Sequence, residues 1–239
     1  MLRKLWYPIG LFFLTAWYGT KAVVFGLLGI PNRQGGVYDR IGRTWSAKVL
    51  KVAGVAVRTQ GMDRVPRDQP VVFVSNHQSF FDILALSATL PGTMRFVAKK
   101  ELAKVPIFGK AMRSAGHIFI DRQNRAKAFD AYEEAAQAVR EGMCAVVFAE
   151  GTRSRTGNLL PFKKGPFVFA IASQVPLVPI YCAGTFDILP KGSIWVRPKP
   201  VTLMFGEPIS TKGLVYEDRE QLMARTRAVI ERLRFEAGE

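Results

Sequence analysis

The segment VVFVSNHQSFFD, residues 71–82, is the most informative about the fold, because an unbroken apolar run passes directly into polar residues and then into a helical pattern. Four apolar residues without alternation are typical of a strand that is buried on both faces of a sheet. The same arrangement returns in CAVVFA, residues 144–149. Such runs predict a sheet that is covered by helices on both sides.

On both sides of this segment, β-rich runs alternate with helical patterns from residue 55 onward. Strands are predicted at 55–59, 71–75, 94–98, 117–120, 144–149, 175–181 and 201–206. Helices are predicted at 82–89, 106–114, 125–141, 163–174 and 217–235. This alternation predicts an α/β fold with a mixed, mostly parallel sheet flanked by helices. Ligands of such sheets bind at the carboxyl ends of the strands, so the residues that follow each strand are the candidates for function.

The N-terminal part has a different pattern. Residues 5–30 carry Lys21 as their only charge and are long enough to span a bilayer, although four glycines weaken a clean span. Residues 37–53 combine a basic face with an apolar face, which is typical of a helix that lies among lipid headgroups. We therefore predict a two-helix membrane-associating arm, residues 1–54, followed by an α/β domain, residues 55–239. Partial insertion from one side is favoured, with the basic face toward anionic lipid.

Charge and motifs restrict the function classes. The 34 Lys and Arg residues exceed the 19 Asp and Glu residues and give a net charge of +15, which implies a polyanionic partner such as nucleic acid, an anionic membrane or a phosphorylated substrate. The HExxH, GxSxG, CxxC, GxGxxG and GxxxxGK[ST] motifs do not occur. Zincins, hydrolases with a nucleophile elbow, dinucleotide-binding proteins and P-loop NTPases therefore lack their usual signatures. The two cysteines do not form a disulfide framework and are expected to be buried.

His77 and Asp82 form the first candidate site. His77 lies just after a predicted buried strand, where substrates bind, and Asp82 follows five residues later at the start of a predicted helix. Asp82 could simply cap that helix. Alternatively, its carboxylate holds one imidazole nitrogen of His77 and makes the other nitrogen a better proton acceptor. His117 has no carboxylate five residues later and is interpreted as structural.

A second candidate site follows the strand CAVVFA, where Gly151, Thr152 and Arg153 could receive an oxyanion. Glycine lets backbone amides approach the anion, threonine adds a donor, and arginine can bind a phosphate through two hydrogen bonds. An ordinary link between a strand and a helix would have a similar composition. Arg122 lies two residues after the predicted strand 117–120 and therefore also falls near a strand end.

Four sequence blocks resemble the glycerolipid acyltransferase family, in particular its lysophosphatidic acid acyltransferase group, and they occur in the family's order. They are NHQSFFD at 76–82, KKELAKVPIFGKAMRSAGHIFIDR at 99–122, FAEGTRS at 148–154 and VPLVPI at 175–180. The matched stretch extends over about residues 61–210. Ala149 departs from the family pattern, which usually has proline there. The N-terminal helical pair also resembles the element that seats bacterial members in the membrane.

The resemblance implies an enzyme that transfers an acyl group from a thioester to the sn-2 hydroxyl of lysophosphatidic acid, which gives phosphatidic acid for phospholipid biosynthesis. His77 would be the general base, oriented by Asp82, and the hydroxyl would attack directly without an acyl-enzyme. The family's remaining site roles fall on matching positions: glycerol phosphate binding on Glu150, Gly151, Thr152 and Arg153, a second phosphate contact on Arg122, support of the phosphate or oxyanion on Lys99, and the acyl-donor region on Pro179.

The resemblance further implies acyl-CoA or acyl-carrier protein as the donor, an anionic membrane surface as a partner, and neither metal, cofactor nor nucleic acid. The enzyme would be membrane-associated with its active site facing the cytoplasm, in the plasma membrane of a bacterium. Two alternatives stay open on the sequence. The acceptor could be another lyso-lipid or an aminolipid, because acceptor choice depends on pocket shape. A non-catalytic module that binds membranes or nucleic acid is also compatible with the basic charge.

Overall fold

A computed structural model describes residues 2–121 and 125–239. Its strands are β1 (Val57–Gln60), β2 (Val72–Ser75), β3 (Met94–Lys99), β4 (Ile118–Ile120), β5 (Cys144–Phe148), β6 (Leu177–Ala183) and β7 (Val201–Phe205). Its helices are α1 (Leu2–Leu27), α2 (Val37–Ala53), α3 (Phe80–Thr89), α4 (Phe108–Ser114), α5 (Arg125–Arg140), α6 (Lys164–Ser173), α7 (Thr185–Ile188) and α8 (Arg219–Glu236).

The strands form one sheet in the order β1-β7-β6-β2-β5-β3-β4. The five strands from β6 to β4 are mutually parallel, β7 is antiparallel to β6, and β1 is parallel to β7. The predicted mixed, mostly parallel sheet with flanking helices is therefore confirmed. β2 lies at the centre between β5 and β6, so the residues that follow β2 are surrounded by neighbouring strand ends.

The two faces of the sheet belong to two hydrophobic clusters, which explains the unbroken apolar runs. Phe73 of β2 belongs to the cluster that α1, α2 and α3 cover. Its neighbours Val72 and Val74 belong to the cluster that α5, α6 and α8 cover. Successive side chains of a strand point to opposite faces, so a strand covered on both sides needs apolar residues at every position.

The glycines of α1 mark the face that packs against the protein. A Cβ atom at Gly10 would stand 2.8 Å from Cγ1 of Val52 on α2, and one at Gly19 would stand 2.8 Å from Cγ2 of Ile107, next to α4. The glycines therefore permit close packing of α1, and they do not interrupt the helix. The opposite face is apolar and exposed, through Ile9, Phe12, Phe13, Trp17, Val24 and Leu27.

The arm also contributes to the core of the α/β body. Three of its side chains, Tyr7 of α1 and Val49 and Leu50 of α2, are buried in the hydrophobic cluster to which α3 also contributes. The first turn of α2 is tied to the sheet by a buried ion pair, in which Nη1 of Arg95 on β3 lies 2.6 Å from Oδ1 of Asp39. Removing residues 1–54 would therefore expose part of the hydrophobic core. The division of the chain into an arm, residues 1–54, and an α/β domain, residues 55–239, stays a prediction.

The sequence-based boundaries differ from the structure in two instructive places. Helix α3 begins at Phe80, two residues earlier than predicted, because Ser79 is its N-cap. Helix α7 was not predicted, since four residues are too few to produce a helical period. The loop after α7 nevertheless reaches the site described next.

Candidate active site

The site lies at the carboxyl ends of two adjacent parallel strands. Ser75 at the end of β2 is paired with Phe148 at the end of β5. The segments that follow these strands, which begin at Asn76 and Ala149, therefore meet at one edge of the sheet. The side chain of Asn76 fixes this edge to β6, because it donates to the carbonyl of Cys182 at 3.2 Å and accepts from the N–H of Cys182 at 2.7 Å.

His77 and Asp82 are in direct contact, with 2.8 Å between Nδ1 of the imidazole and Oδ2 of the carboxylate. The same oxygen accepts the backbone N–H groups of Gln78 at 2.7 Å and Ser79 at 2.9 Å. Asp82 therefore caps α3 and also contacts His77. The sequence had left open whether Asp82 does the one or the other, and the structure shows both contacts. An oxygen already surrounded by two donors favours Nδ1 as a third donor, which leaves Nε2 with its lone pair.

The imidazole of His77 is also held from its face. It stacks on the ring of Phe148, with 3.8 Å between centroids and 13° between planes. This contact restricts rotation of the imidazole away from Asp82. The sequence did not predict this contact of Phe148. A usable signal was present, because Phe148 is an aromatic residue at the end of β5, and β5 lies beside the strand that precedes His77.

The backbone of His77 is fixed by the loop that follows β5. Its N–H donates to Oε1 of Glu150 at 2.8 Å, and its carbonyl accepts from the N–H of Ser154 at 2.8 Å. The other carboxylate oxygen of Glu150 accepts the N–H of Leu160 at 2.9 Å. Burial raises the pKa of Glu150 to about 7 against the opposing effect of these amides. Both oxygens of Glu150 are thus engaged with backbone, and its role as a phosphate or glycerol ligand stays a prediction.

The departure at Ala149 has a structural counterpart in the same loop. The N–H of Ala149 donates to the carbonyl of Ser75 at 2.8 Å and extends the pairing of β5 with β2 by one hydrogen bond. A proline has no N–H and could not form this bond. Gly151 follows with a φ of +66°, a left-handed conformation in which glycine is favoured.

Positively charged side chains line the cavity that His77 also lines. Arg153 and Thr152 line the same cavity as His77, and Lys191 lines it too, whereas the phosphate-binding role of Arg153 and Thr152 stays a prediction. Nζ of Lys191 lies 2.9 Å from Oγ1 of Thr152. Lys191 was missed because it lies in a loop after α7, outside the motifs. Two cations and a hydroxyl form a suitable cradle for a phosphate group.

Lys99 and Pro179, two further predicted site residues, do not contact Thr152 or Lys191. Lys99 lines the cavity at the end of β3, but its ammonium is 3.2 Å from Oε1 of Glu101 in an exposed ion pair. Arg122 lies outside the described residues. Pro179 is buried inside β6, away from the described residues that line the cavity, and its expected place near the acyl donor stays a prediction.

The cavity has a volume of about 990 Å³ and extends from His77 to the underside of the N-terminal arm. Its walls beyond the cations are mostly apolar and include side chains from α1, α2, α3, α4 and β3: Tyr7, Leu11, Trp45, Phe80, Ile83, Phe96, Phe108 and Met112. His117 lines the same cavity, where its Nδ1 accepts the N–H of Phe96 at 3.0 Å and burial lowers its pKa to about 3. His117 is therefore neutral at physiological pH.

A second cavity, of about 480 Å³, lies at the opposite ends of the strands, near Val71, Thr93 and Cys144. Arginines such as Arg40 and Arg67 line it, but neither described histidine does. The larger cavity, which His77 and His117 line, is therefore the candidate active site. Among the described residues, no group of three or more His, Cys, Asp or Glu side chains is arranged to hold a metal ion.

Comparison with known proteins agrees with this geometry. A family model described as Acyltransferase matches residues 56–183. The chain is 34% identical over 242 residues to the 1-acyl-sn-glycerol-3-phosphate acyltransferase alpha of Homo sapiens, an alignment that covers 95% of this chain and 83% of the human protein. It is 34% identical over 180 residues to the 1-acyl-sn-glycerol-3-phosphate acyltransferase of Cocos nucifera, which covers 75% of this chain and 57% of the plant protein.

Among solved structures, the crystal structure of the 1-acyl-sn-glycerophosphate (LPA) acyltransferase PlsC from Thermotoga maritima matches with a TM-score of 0.76 and 28% sequence identity. The match covers 97% of this chain and 94% of that chain. The fold and the cavity define an α/β protein with a candidate binding site at the carboxyl ends of its strands. More particularly, the chain belongs to the acyltransferase family.

Proposed function

We propose that this protein is a 1-acyl-sn-glycerol-3-phosphate acyltransferase, which transfers an acyl group from a thioester to the sn-2 hydroxyl of lysophosphatidic acid. The activities named for the relatives support this acceptor and product. The observation that carries the proposal is that His77, braced by Asp82, opens into the same cavity as Arg153. A proton acceptor and a phosphate-binding cation can thus act on one acceptor molecule.

The proposed reaction needs one base and no covalent intermediate on the protein. Nε2 of His77 takes the proton of the acceptor hydroxyl while the oxygen attacks the thioester carbonyl. When the tetrahedral adduct collapses, the C–S bond breaks and the thiolate takes the proton from the imidazolium. Burial raises the pKa of both Cys144 and Cys182, which makes either thiol a poor nucleophile and supports direct transfer.

Arg153 is proposed to bind the phosphate of the acceptor. Thr152 and Lys191, which line the same cavity, are proposed to bind the same phosphate. The contact between Lys191 and Thr152 gives the cradle a defined geometry before any ligand arrives. Glu150 contributes indirectly, by holding the backbone of His77 against the loop that carries Arg153. Lys99 could leave its exposed partner Glu101 at small cost and approach the phosphate or the oxyanion, because exposed pairs contribute only about 0–1 kcal/mol.

The apolar part of the cavity is proposed to receive an acyl chain. Transfer of hydrocarbon from water to an apolar environment is favourable by about 0.8 kcal/mol per CH₂ group, so a long chain gains substantially there. The cations at one end and the apolar walls at the other match an amphipathic lipid. The donor is proposed to be acyl-CoA or acyl-carrier protein.

The arm is proposed to seat the protein on a membrane by partial insertion from one side, with the active site at the cytoplasmic surface. Tyr7–Leu27 is long and apolar enough to cross a bilayer, by length and composition. One-sided insertion is supported because one face of α1 packs on α2 and α4 while the other face exposes Phe12, Phe13 and Trp17. Arg40, Lys48 and Lys51 on α2 are also exposed and could meet anionic headgroups.

A panel of acceptors tests the function. The purified full-length protein would be supplied, in anionic vesicles, with a labelled acyl-CoA or acyl-carrier thioester and with lysophosphatidic acid, other lysophospholipids or an aminolipid. Phosphatidic acid as the main product supports the proposal. Turnover only with another acceptor assigns the same chemistry to a different substrate, and no turnover with any acceptor points to a non-catalytic binding module.

A further inference from the structure

We propose that the loop of residues 189–195, here called the rim loop, is a second contact with the lipid bilayer, separate from the N-terminal arm. The proposal rests on the proposed function only in that the acceptor is taken to be a membrane lipid. Its starting observation is an exposed apolar pair at the loop tip: Ile194 is 72% exposed and the adjacent Trp195 is 50% exposed. Two large apolar residues next to each other in water indicate a surface that is covered in use.

The rim loop has a defined shape at both of its ends. Oγ of Ser79, the N-cap of α3, donates to the carbonyl of Leu189 at 2.8 Å. Lys191 binds Thr152, and the N–H of Trp195 donates to Oγ of Ser193 at 3.1 Å. The tip is therefore held outward by its own hydrogen bonds. A surface that covers Ile194 and Trp195 would therefore lie close to the loop that follows β5 and carries Thr152.

The rim loop and the arm border the same cavity. Ile194 and Lys191 line it together with Tyr7 and Pro8 of α1. The exposed residue Ile9 follows Pro8 immediately, and Phe12 lies one turn further along α1. Exposed apolar residues thus occur on two separate elements that border the cavity of His77, so a lipid could enter between them without crossing water.

The chemistry of the loop favours a lipid surface over a protein. A specific protein interface involves about 20–30 residues on each side, whereas this is a protruding pair of apolar residues on a short loop. Tryptophan is enriched at the boundary between headgroups and hydrocarbon, because its ring is apolar and its N–H is polar. Lys191 and the exposed Arg197 flank the pair and suit an anionic headgroup layer.

A fluorescent label tests the contact directly. Ile194→Cys would be labelled with an environment-sensitive dye, since the two native cysteines are buried and react poorly. Phe235→Cys, at an 83% exposed position on α8, serves as the matched control. On addition of vesicles of phosphatidylcholine and phosphatidylglycerol, we expect a blue shift and brighter emission at position 194 only. An unchanged signal at position 194 with vesicle-bound protein would overturn the proposal, as would the same response to acyl-carrier protein or to self-association without vesicles.

An activity comparison separates a membrane role from a catalytic one. Trp195→Ser should reduce turnover of long-chain lysophosphatidic acid in vesicles by about fivefold, because one interfacial anchor is lost. Turnover of a water-soluble short-chain lysophosphatidic acid should stay within about twofold of wild type, and Phe235→Ser should change neither rate. An equal loss with both acceptors would contradict the proposal. If the wild type uses neither acceptor, the enzymatic function fails, and the label alone decides whether the loop contacts lipid.

Discussion

One carboxylate oxygen of Glu150 accepts the backbone N–H of His77 at 2.8 Å, while the other accepts the N–H of Leu160. The residue that was expected to bind substrate therefore connects the proposed base to the loop that presents Arg153. Ser154 completes this connection by donating to the carbonyl of His77. The position of the imidazole relative to the phosphate cradle is thus set by the backbone of one loop.

Glu150→Gln should reduce kcat by about 10- to 100-fold with little change in the KM for lysophosphatidic acid, because misplacing a reacting group by about 1 Å is costly. Glutamine has one oxygen and one amide nitrogen, so it can accept only one of the two backbone N–H groups. The measurement is steady-state kinetics of acyl transfer. A KM increase with unchanged kcat would instead assign Glu150 to substrate binding.

The folding stability should show a pH dependence that comes from Glu150. Burial raises its pKa from 4.5 to about 7, so between these values the folded state holds the proton more tightly than the unfolded state does. The free energy of unfolding should therefore fall as pH rises through this window, by at most about 1.4 kcal/mol per pH unit from this group. Denaturant titrations of wild type and Glu150→Gln should differ by this slope, and parallel curves would contradict the assignment.

Asp82→Asn should lower kcat by about 10²- to 10⁴-fold, because an amide cannot hold Nδ1 as a donor in the way that a carboxylate does. Asp82 also caps α3, so part of the effect could arise from a weakened helix. Ser79→Ala provides the control, since it removes the other side chain of the capping box and leaves the contact between His77 and Asp82 in place. Comparable kcat losses in both variants would show that the effect does not come from the contact between His77 and Asp82.

Arg153→Ala should raise the KM for lysophosphatidic acid by about 10- to 100-fold, the value of a charge-assisted hydrogen bond of about 1.5–3 kcal/mol, and should lower kcat less. Arg155→Ala is a matched control, because Arg155 lies in the same loop, is exposed and is not among the described residues that line the cavity. Initial rates at varied acceptor concentration separate the two parameters. A defect confined to kcat would exclude Arg153 as the phosphate ligand.

Much of the fold followed from the sequence because a strand buried on both faces leaves an unmistakable apolar run, as in Val71–Val74. The contact between His77 and Asp82 could be proposed from the sequence because the two residues are only five positions apart. The glycines of α1 could not be interpreted correctly, because their partners Val52 and Ile107 are distant in sequence. Glycine within an apolar helix permits close packing as readily as it weakens a membrane span.

The remaining site residues depend on how distant loops meet. The orientation of Glu150 is decided by its hydrogen bonds with the backbone N–H groups of His77 and Leu160, and its position after a strand gives no information about them. Lys191 reaches Thr152 across 39 residues from a loop that has no motif of its own. Phe148 supports the imidazole only because β5 lies beside β2 in the sheet. These contacts arise from tertiary structure, which local patterns do not encode.

The most direct measurement is single-turnover acyl transfer from a labelled thioester to lysophosphatidic acid by wild type and by His77→Ala, both as folded full-length protein in the same vesicles. We predict that wild type forms phosphatidic acid and that His77→Ala still binds lysophosphatidic acid with a similar Kd but transfers the acyl group at least about 10²-fold more slowly. Phosphatidic acid formation at a comparable rate by His77→Ala would contradict the account.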